Sequence, residues 1–145
     1  MIRSVLMVCE GNICRSPLAA ALLARELPHL DVTSAGTHAL IGEPANAVIV
    51  ELAQAHGLAL DAHVATQIEA SHARDSDLIL TMTQAQRAWV EAAWPPARGK
   101  VFRLCDEQAT DVTDPYKRHR AVFELAFAQI REGVTRWSRA LSEQR

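Results

Sequence analysis

A chain of 145 residues has room for one ordinary domain, and its 15 basic against 17 acidic side chains leave a formal charge of −2, with no net positive field to gather nucleic acid. Apolar residues at 49% and charged residues at 22% exclude a disordered chain, while 25 alanines beside 5% aromatics favour closely packed helices over an aromatic-rich β-sandwich. The longest unbroken apolar run, Leu18 to Ala24, has seven residues against the roughly 20 that span a bilayer, so no membrane insertion is expected. Met1-Ile2-Arg3-Ser4 carries no signal-peptide cleavage pattern, and three cysteines are an odd number for a secreted disulfide framework; both point to the cytoplasm.

In chain order, Ile2 to Val8 is apolar after its Arg-Ser start, the pattern of a strand covered on both faces. Pro17 to Leu27 reads as a helix, with Ser16 as its N-cap, Pro17 at the favoured first position and Pro28 as its stop. Leu30 to Ala35 is a second strand stopped by Gly36, and Ala45 to His56 a helix closed by Gly57. A polar helical segment around Ile68 to Arg74 precedes a third strand, Leu78 to Met82. Thr83 to Ala93 is a helix ended by Trp94-Pro95-Pro96, and Val101 to Leu104 the fourth strand. In a last helix, about Arg120 to Leu141, Phe123, Phe127, Ile130, Val134 and Trp137 form one apolar stripe that belongs to the core. With no repeat, linker or low-complexity tract, residues 1–145 read as one domain of the α/β class. The expected architecture is a three-layer sandwich, its four-stranded parallel sheet flanked by helices on both faces. Ligands bind such sheets beyond the carboxyl ends of the strands, and the first such end is Val8-Cys9.

The string Cys9-Glu10-Gly11-Asn12-Ile13-Cys14-Arg15-Ser16-Pro17 leaves that strand, turns, and enters a helix. Gly11 and Asn12 both tolerate positive φ, so the loop is expected to curl its N–H groups toward one point. A nest of this kind at a helix amino terminus is an anion site of phosphate size, and Arg15 adds a planar fork for two phosphate oxygens. Cys9, facing the same positive end, has the setting of a thiolate nucleophile. Nucleophile and arginine separated by five residues and wrapped around one anion suit in-line attack on phosphorus. Cys14 lies on the same small loop, close enough in sequence to trap an oxidised Cys9 as a reversible disulfide; its plainer role is to fill space beneath the loop. The six histidines show no metal-ligand spacing, and Cys105 has no partner at a recognisable interval. Lys117-Arg118-His119-Arg120 reads as a solvated helix start, with a basic rim that attracts acidic or multiply phosphorylated tails as its functional alternative.

At these residues the sequence resembles the low-molecular-weight protein tyrosine phosphatases, whose signature is a strand followed by Cys-x-Gly-Asn-x-Cys-Arg-Ser-Pro. The likeness continues through Ser34-Ala35-Gly36-Thr37, His63-Val64-Ala65, Asp77 to Met82 and Asp114-Pro115-Tyr116. Ala39-Leu40-x-Gly42 and Arg98-Gly99-Lys100-Val101 point to the bacterial members paired with tyrosine autokinases in exopolysaccharide export. The resemblance implies a phosphotyrosine protein as partner, a tyrosine autokinase with a Tyr-rich tail among the candidates, and no cofactor or metal. It makes Cys9 the nucleophile of a phosphocysteine intermediate, with Arg15 and the amides of residues 10–16 as the phosphate cradle. Ser16 supports the sulfur as leaving group, and Asn12 holds the curl through its side chain with Ser34 and His63 as partners. Asp114 is the general acid, and Leu40 and Tyr116 form the substrate wall.

Three positions depart from that pattern. Glu10 occupies a variable position that is often apolar, and a carboxylate there repels dianions. Thr66 stands where relatives carry arginine and Thr83 where they often carry an acid, which reads as an ion pair replaced by two coupled hydroxyls. Two other functions use part of the same equipment. A thiol-dependent arsenate reductase needs further relay cysteines, for which Cys105 is a poor candidate, and a non-catalytic phosphotyrosine-binding module needs neither Cys9 nor Asp114.

Overall fold

The computed structural model describes residues 1–144. Its strands are β1 (Ser4–Cys9), β2 (Asp31–Gly36), β3 (Leu78–Thr81) and β4 (Val101–Arg103); its helices are α1 (Arg15–Glu26), α2 (Ala47–Ala55), α3 (Ala70–Asp75), α4 (Gln84–Ala93) and α5 (Arg120–Ser142). All pairings are parallel, in the order β2-β1-β3-β4. Successive connections leave β1 in opposite directions, so its carboxyl end, Cys9, opens at the point where the strand order reverses.

Alternation along the strands sorts side chains between two cores. Val5, Met7, Leu78 and Leu80 pack with Leu18, Leu22, Ile49, Phe123 and Ile130 from α1, α2 and α5. Leu6, Val8, Ile79 and Val101 pack with Ala73 of α3, Val90 of α4 and Ala97. These two cores make the three layers. Phe123, Phe127, Ile130 and Val134 are buried as the stripe demands, with Trp137 half-buried and its indole N–H donating to the Leu104 carbonyl at 2.8 Å. α5 packs tightly against the chain beyond β4 at Gly133, where an added Cβ would lie 2.8 Å from Leu104 Cγ and 3.1 Å from Cys105 Sγ. Lys117 to Arg120 are exposed, as a solvated helix start requires, and Arg120 pairs with Glu51 at 3.1 Å.

Several boundaries move for local reasons. α1 begins at Arg15, so Ser16 is not its N-cap and Pro17 is third in the helix. Proline is harmless there because the first four N–H groups of a helix have no internal partner. α2 starts at Ala47, with the Asn46 side chain accepting from Val48 N–H. Thr83 caps α4 from outside through a reciprocal pair with Gln86. The prolines after Trp94 form a short 3₁₀ turn, Pro95–Ala97.

Candidate active site

The loop after β1 curls around Asn12. Asn12 has φ +58° and is fully buried, whereas Gly11, expected to share the left-handed conformation, does not adopt it. The amide explains why asparagine tolerates that backbone. Its Nδ2 donates to Ser16 Oγ at 2.8 Å and Ser34 Oγ at 3.0 Å, and its Oδ1 accepts Thr66 N–H at 2.8 Å. His63 supports the same residue differently from the expectation, since its Nε2 meets the Asn12 backbone carbonyl at 2.6 Å and not the side chain.

Cys9 Sγ lies 2.9 Å from Ser16 Oγ and accepts Asn12 N–H at 3.3 Å. Because the Ser16 oxygen already accepts from Asn12, its own proton is free to point at the sulfur. Two donors thus face Cys9, an arrangement that suits an anionic sulfur as nucleophile and as leaving group. Among the described residues, the N–H groups of Gly11, Ile13 and Cys14 donate to no protein acceptor, and all three residues line the cleft above Cys9. The cleft has a volume of about 200 Å³, and Arg15, Leu40, Asp114 and Tyr116 also line it. Burial, reinforced by the charges of Cys9 and Asp114, pushes the Cys14 thiol up to about 12, so Cys14 stays protonated at neutral pH.

Arg15 is 4% exposed, with Nη1 donating to the Val112 carbonyl at 3.0 Å and Nη2 lying 3.6 Å from Asp114 Oδ2. The guanidinium therefore ties the phosphate loop to the acid loop. Asp114 Oδ1 accepts Tyr116 N–H at 3.1 Å, which folds the Asp-Pro-Tyr turn and sets the phenol ring on the rim. The root of this loop is fastened more firmly. Asp111 accepts from Gln84 N–H at 2.9 Å and Arg103 at 3.0 Å, Val112 N–H donates to Met82 O at 2.9 Å, and Thr113 N–H donates to Gln129 Oε1 at 2.8 Å.

The segment after β2 runs beside the phosphate loop as a continuation of strand pairing. Thr37, His38 and Leu40 donate to the carbonyls of Cys9, Glu10 and Gly11, which places Leu40 on the wall. Gln67 braces this segment, accepting from Ala39 N–H at 2.9 Å and donating to Thr37 O at 2.8 Å. Gly36 makes the close approach feasible, since an added Cβ would collide with the Glu10 carbonyl and stand 3.1 Å from Asn12 Cβ. The positioning roles of Gln67, Gln129 and Val112 had no signal in the sequence; Gly36 had one, a glycine at a strand end beside the loop.

Thr66 serves Asn12 through its backbone, and its hydroxyl donates to Val64 O at 3.2 Å. The Thr83 hydroxyl caps α4. The two hydroxyls have separate partners and no hydrogen bond joins them, which replaces the coupled-pair expectation with two independent local roles.

Residues 4–145 match the family model described as low molecular weight phosphotyrosine protein phosphatase. The chain is 44% identical to the probable low molecular weight protein-tyrosine-phosphatase EpsP of Ralstonia solanacearum over 137 residues, 94% of each chain. Its structure resembles the crystal structure of the Erwinia amylovora tyrosine phosphatase AmsI, with a TM-score of 0.93 and 38% identity over 97% of this chain and 93% of that one. It also resembles Vibrio vulnificus Wzb in complex with benzylphosphonate, with a TM-score of 0.93 and 32% identity over 97% and 99% of the two chains.

Proposed function

Because the chain belongs to the low molecular weight phosphotyrosine protein phosphatase family, we propose that it hydrolyses phosphotyrosine in two displacements at Cys9. In the first, the Cys9 sulfur attacks phosphorus opposite the tyrosyl oxygen, the S–P bond forms, and the P–O bond breaks. Asp114 in its acid form gives its proton to the departing phenolate. In the second, Asp114 as carboxylate takes a proton from water as its oxygen attacks phosphorus, and the S–P bond breaks to release phosphate. Arg15 and the loop amides hold the three equatorial oxygens throughout, and the Ser16 hydroxyl stabilises the leaving sulfur.

The observation that carries this reading is the convergence of Cys9, Arg15 and Asp114 on one cleft. Two alternatives fare worse. A thiol-relay arsenate reductase needs a mobile second thiol, whereas Cys105 is buried, donates to Gln129 O at 3.3 Å and is pushed up by burial. A mere phosphotyrosine-binding module has no use for an acid held beside the arginine.

The substrate in this reading is a phosphotyrosine protein, most specifically a bacterial tyrosine autokinase with a Tyr-rich tail acting in exopolysaccharide production, and the whole chain acts as one cytoplasmic domain. Among the described residues no helix is long and apolar enough to cross a membrane. The test is turnover of p-nitrophenyl phosphate and of an autophosphorylated kinase tail, with Cys9→Ser as control. Iodoacetate should modify Cys9 far faster than Cys105, and phosphate should protect it; equal rates would overturn the assignment.

Cys14 adds a redox role. Peroxide oxidises the Cys9 thiolate to a sulfenic acid with loss of hydroxide; the Cys14 sulfur then forms the S–S bond, and its proton leaves with the hydroxyl as water. The proton that Cys14 retains slows this capture at neutral pH and makes it faster as pH rises. If Cys14→Ser recovers activity after peroxide and thiol as fully as the parent, Cys14 only fills space.

A further inference from the structure

We propose that a second cleft beside the catalytic one receives a basic side chain of the substrate near its phosphotyrosine, arginine in preference to lysine; this rests on the phosphotyrosine reading above. The cleft has a volume of about 490 Å³ and lies between the segment after β2, the start of α4 and the root of the acid loop. Glu10, Arg15, His38 and Asp114 line both clefts, so a peptide whose phosphotyrosine enters the first lays a neighbouring side chain across the second.

Charge and shape together choose the occupant. Glu10, Asp111 and Asp114 line the second cleft, against one buried cation, Arg15, which is engaged with Val112 and faces the phosphate site. The Arg103 guanidinium answers Asp111 at 3.0 Å, and Arg15 stands 3.6 Å from Asp114. Glu10 is exposed and has no ion pair among the described residues, which leaves its charge for a ligand. Trp89 supplies a flat apolar surface, fixed by an edge-on contact with Trp94 at 5.9 Å and a tilted one with His38 at 5.6 Å. A guanidinium stacks on an indole and forks onto a carboxylate, whereas an ammonium pairs with the carboxylate only as a point charge and has no planar face to stack. A second phosphotyrosine would bring its dianion against the unpaired Glu10 carboxylate and be disfavoured there. Glu10, which looks like a liability beside a phosphate site, becomes a specificity-determining residue.

The experiment compares kcat/KM for matched phosphotyrosine peptides carrying Arg, Gln or Glu at each of two positions on either side. At one of these positions Arg should exceed Gln by roughly 3- to 10-fold, chiefly through KM, with Glu below Gln. Ala85 is exposed, lines the cleft and stands outside the catalytic machinery, so Ala85→Lys should erase the Arg preference with p-nitrophenyl phosphate turnover unchanged. Trp89→Leu should reduce the preference with the same small-substrate rate. Equal kcat/KM for Arg and Glu peptides at every position, with p-nitrophenyl phosphate still hydrolysed, overturns the second site alone. An Arg preference that survives Ala85→Lys overturns its location. No hydrolysis of p-nitrophenyl phosphate by the parent overturns the phosphatase reading and this one with it.

Discussion

The phosphate loop and the acid loop face each other across one arginine, but they are built to opposite standards. Asn12 is fully buried with both ends of its amide hydrogen-bonded, and neighbouring amides, Ser16 and His63 complete a lattice around it. The Asp114 side chain is 47% exposed and, among the described residues, meets only the Tyr116 N–H and the edge of Arg15. One loop must present a fixed set of donors to charge that is always in the same place. The other, in the proposed mechanism, delivers a proton, retains the resulting carboxylate and then takes a proton back from water, which demands access. Damage to the first should therefore cost fold and function together, and damage to the tip of the second should cost chemistry alone.

The largest break in that comparison is Cys9→Ser, expected to remove turnover by at least roughly 10⁴-fold while calorimetry still records phosphate binding. Lost phosphate binding would place the cradle elsewhere. Asp114→Asn should slow phosphotyrosine cleavage by roughly 10² to 10⁴-fold, and aryl phosphates with acidic leaving groups far less, at an unchanged urea midpoint. A dependence on leaving-group pKa equal to the parent's would make Asp114 a bystander. Asn12→Ala should break both properties, with a turnover loss of roughly 10²-fold and about 2–4 kcal/mol of stability read from urea unfolding, because it strands the Thr66 N–H, takes the donor from the Ser16 and Ser34 oxygens and forces positive φ on alanine. Gln129→Ala releases only the root of the acid loop at Thr113. Loss of one hydrogen bond of about 1 kcal/mol predicts a roughly 5-fold fall in kcat for poor leaving groups, with Cys9 alkylation unaltered.

The smallest effect lies at the opposite end of the sheet and supplies a control for both loops. Asp77 accepts the N–H groups of Arg3 and Ser4 at 2.8 Å and 3.1 Å, which holds its carboxyl below the usual carboxylate range. A depressed folded value means that the stabilisation is present above the unfolded value near 3.9 and is lost as pH falls through the folded one. Asp77→Asn should therefore be less stable than the parent at neutral pH, the gap closing as pH drops below about 4, with turnover unchanged. A constant gap would deny the carboxylate this role.

The order of elements was legible because each strand is a short apolar run and each helix follows a recognisable break. The start of α1 was misjudged for a chemical reason. Ser16 looks like a cap, but its hydroxyl is engaged with Cys9 and Asn12 inside the first turn, and Cys14 takes the cap position without a side-chain bond. That Cys9, Arg15 and Asp114 share one cleft could be anticipated because each sits in a short string whose residue types suggest a common chemistry. Val112 could not, since it holds Arg15 through a backbone carbonyl 97 residues away, a group every residue possesses. Gln67 and Gln129 act through side-chain amides on distant main chain, and neither partner is marked by residue type.

Gly133 carries a consequence for anyone who alters this protein to withstand heat. A glycine within a 23-residue helix is the first position a helix-propensity argument would change to alanine, for a gain of about 1 kcal/mol. Here the new methyl would press on Leu104 and Cys105, whose chain runs on to Asp114, and one nearby contact is the backbone oxygen of Leu104 at 3.1 Å. The Leu104 side chain must shift to admit it, which offsets the propensity gain and displaces the chain that leads to the proposed acid loop. Glycine at 133 is thus held by packing and not by helix propensity, and a library selected for heat resistance has no reason to enrich the exchange that a propensity scale ranks first.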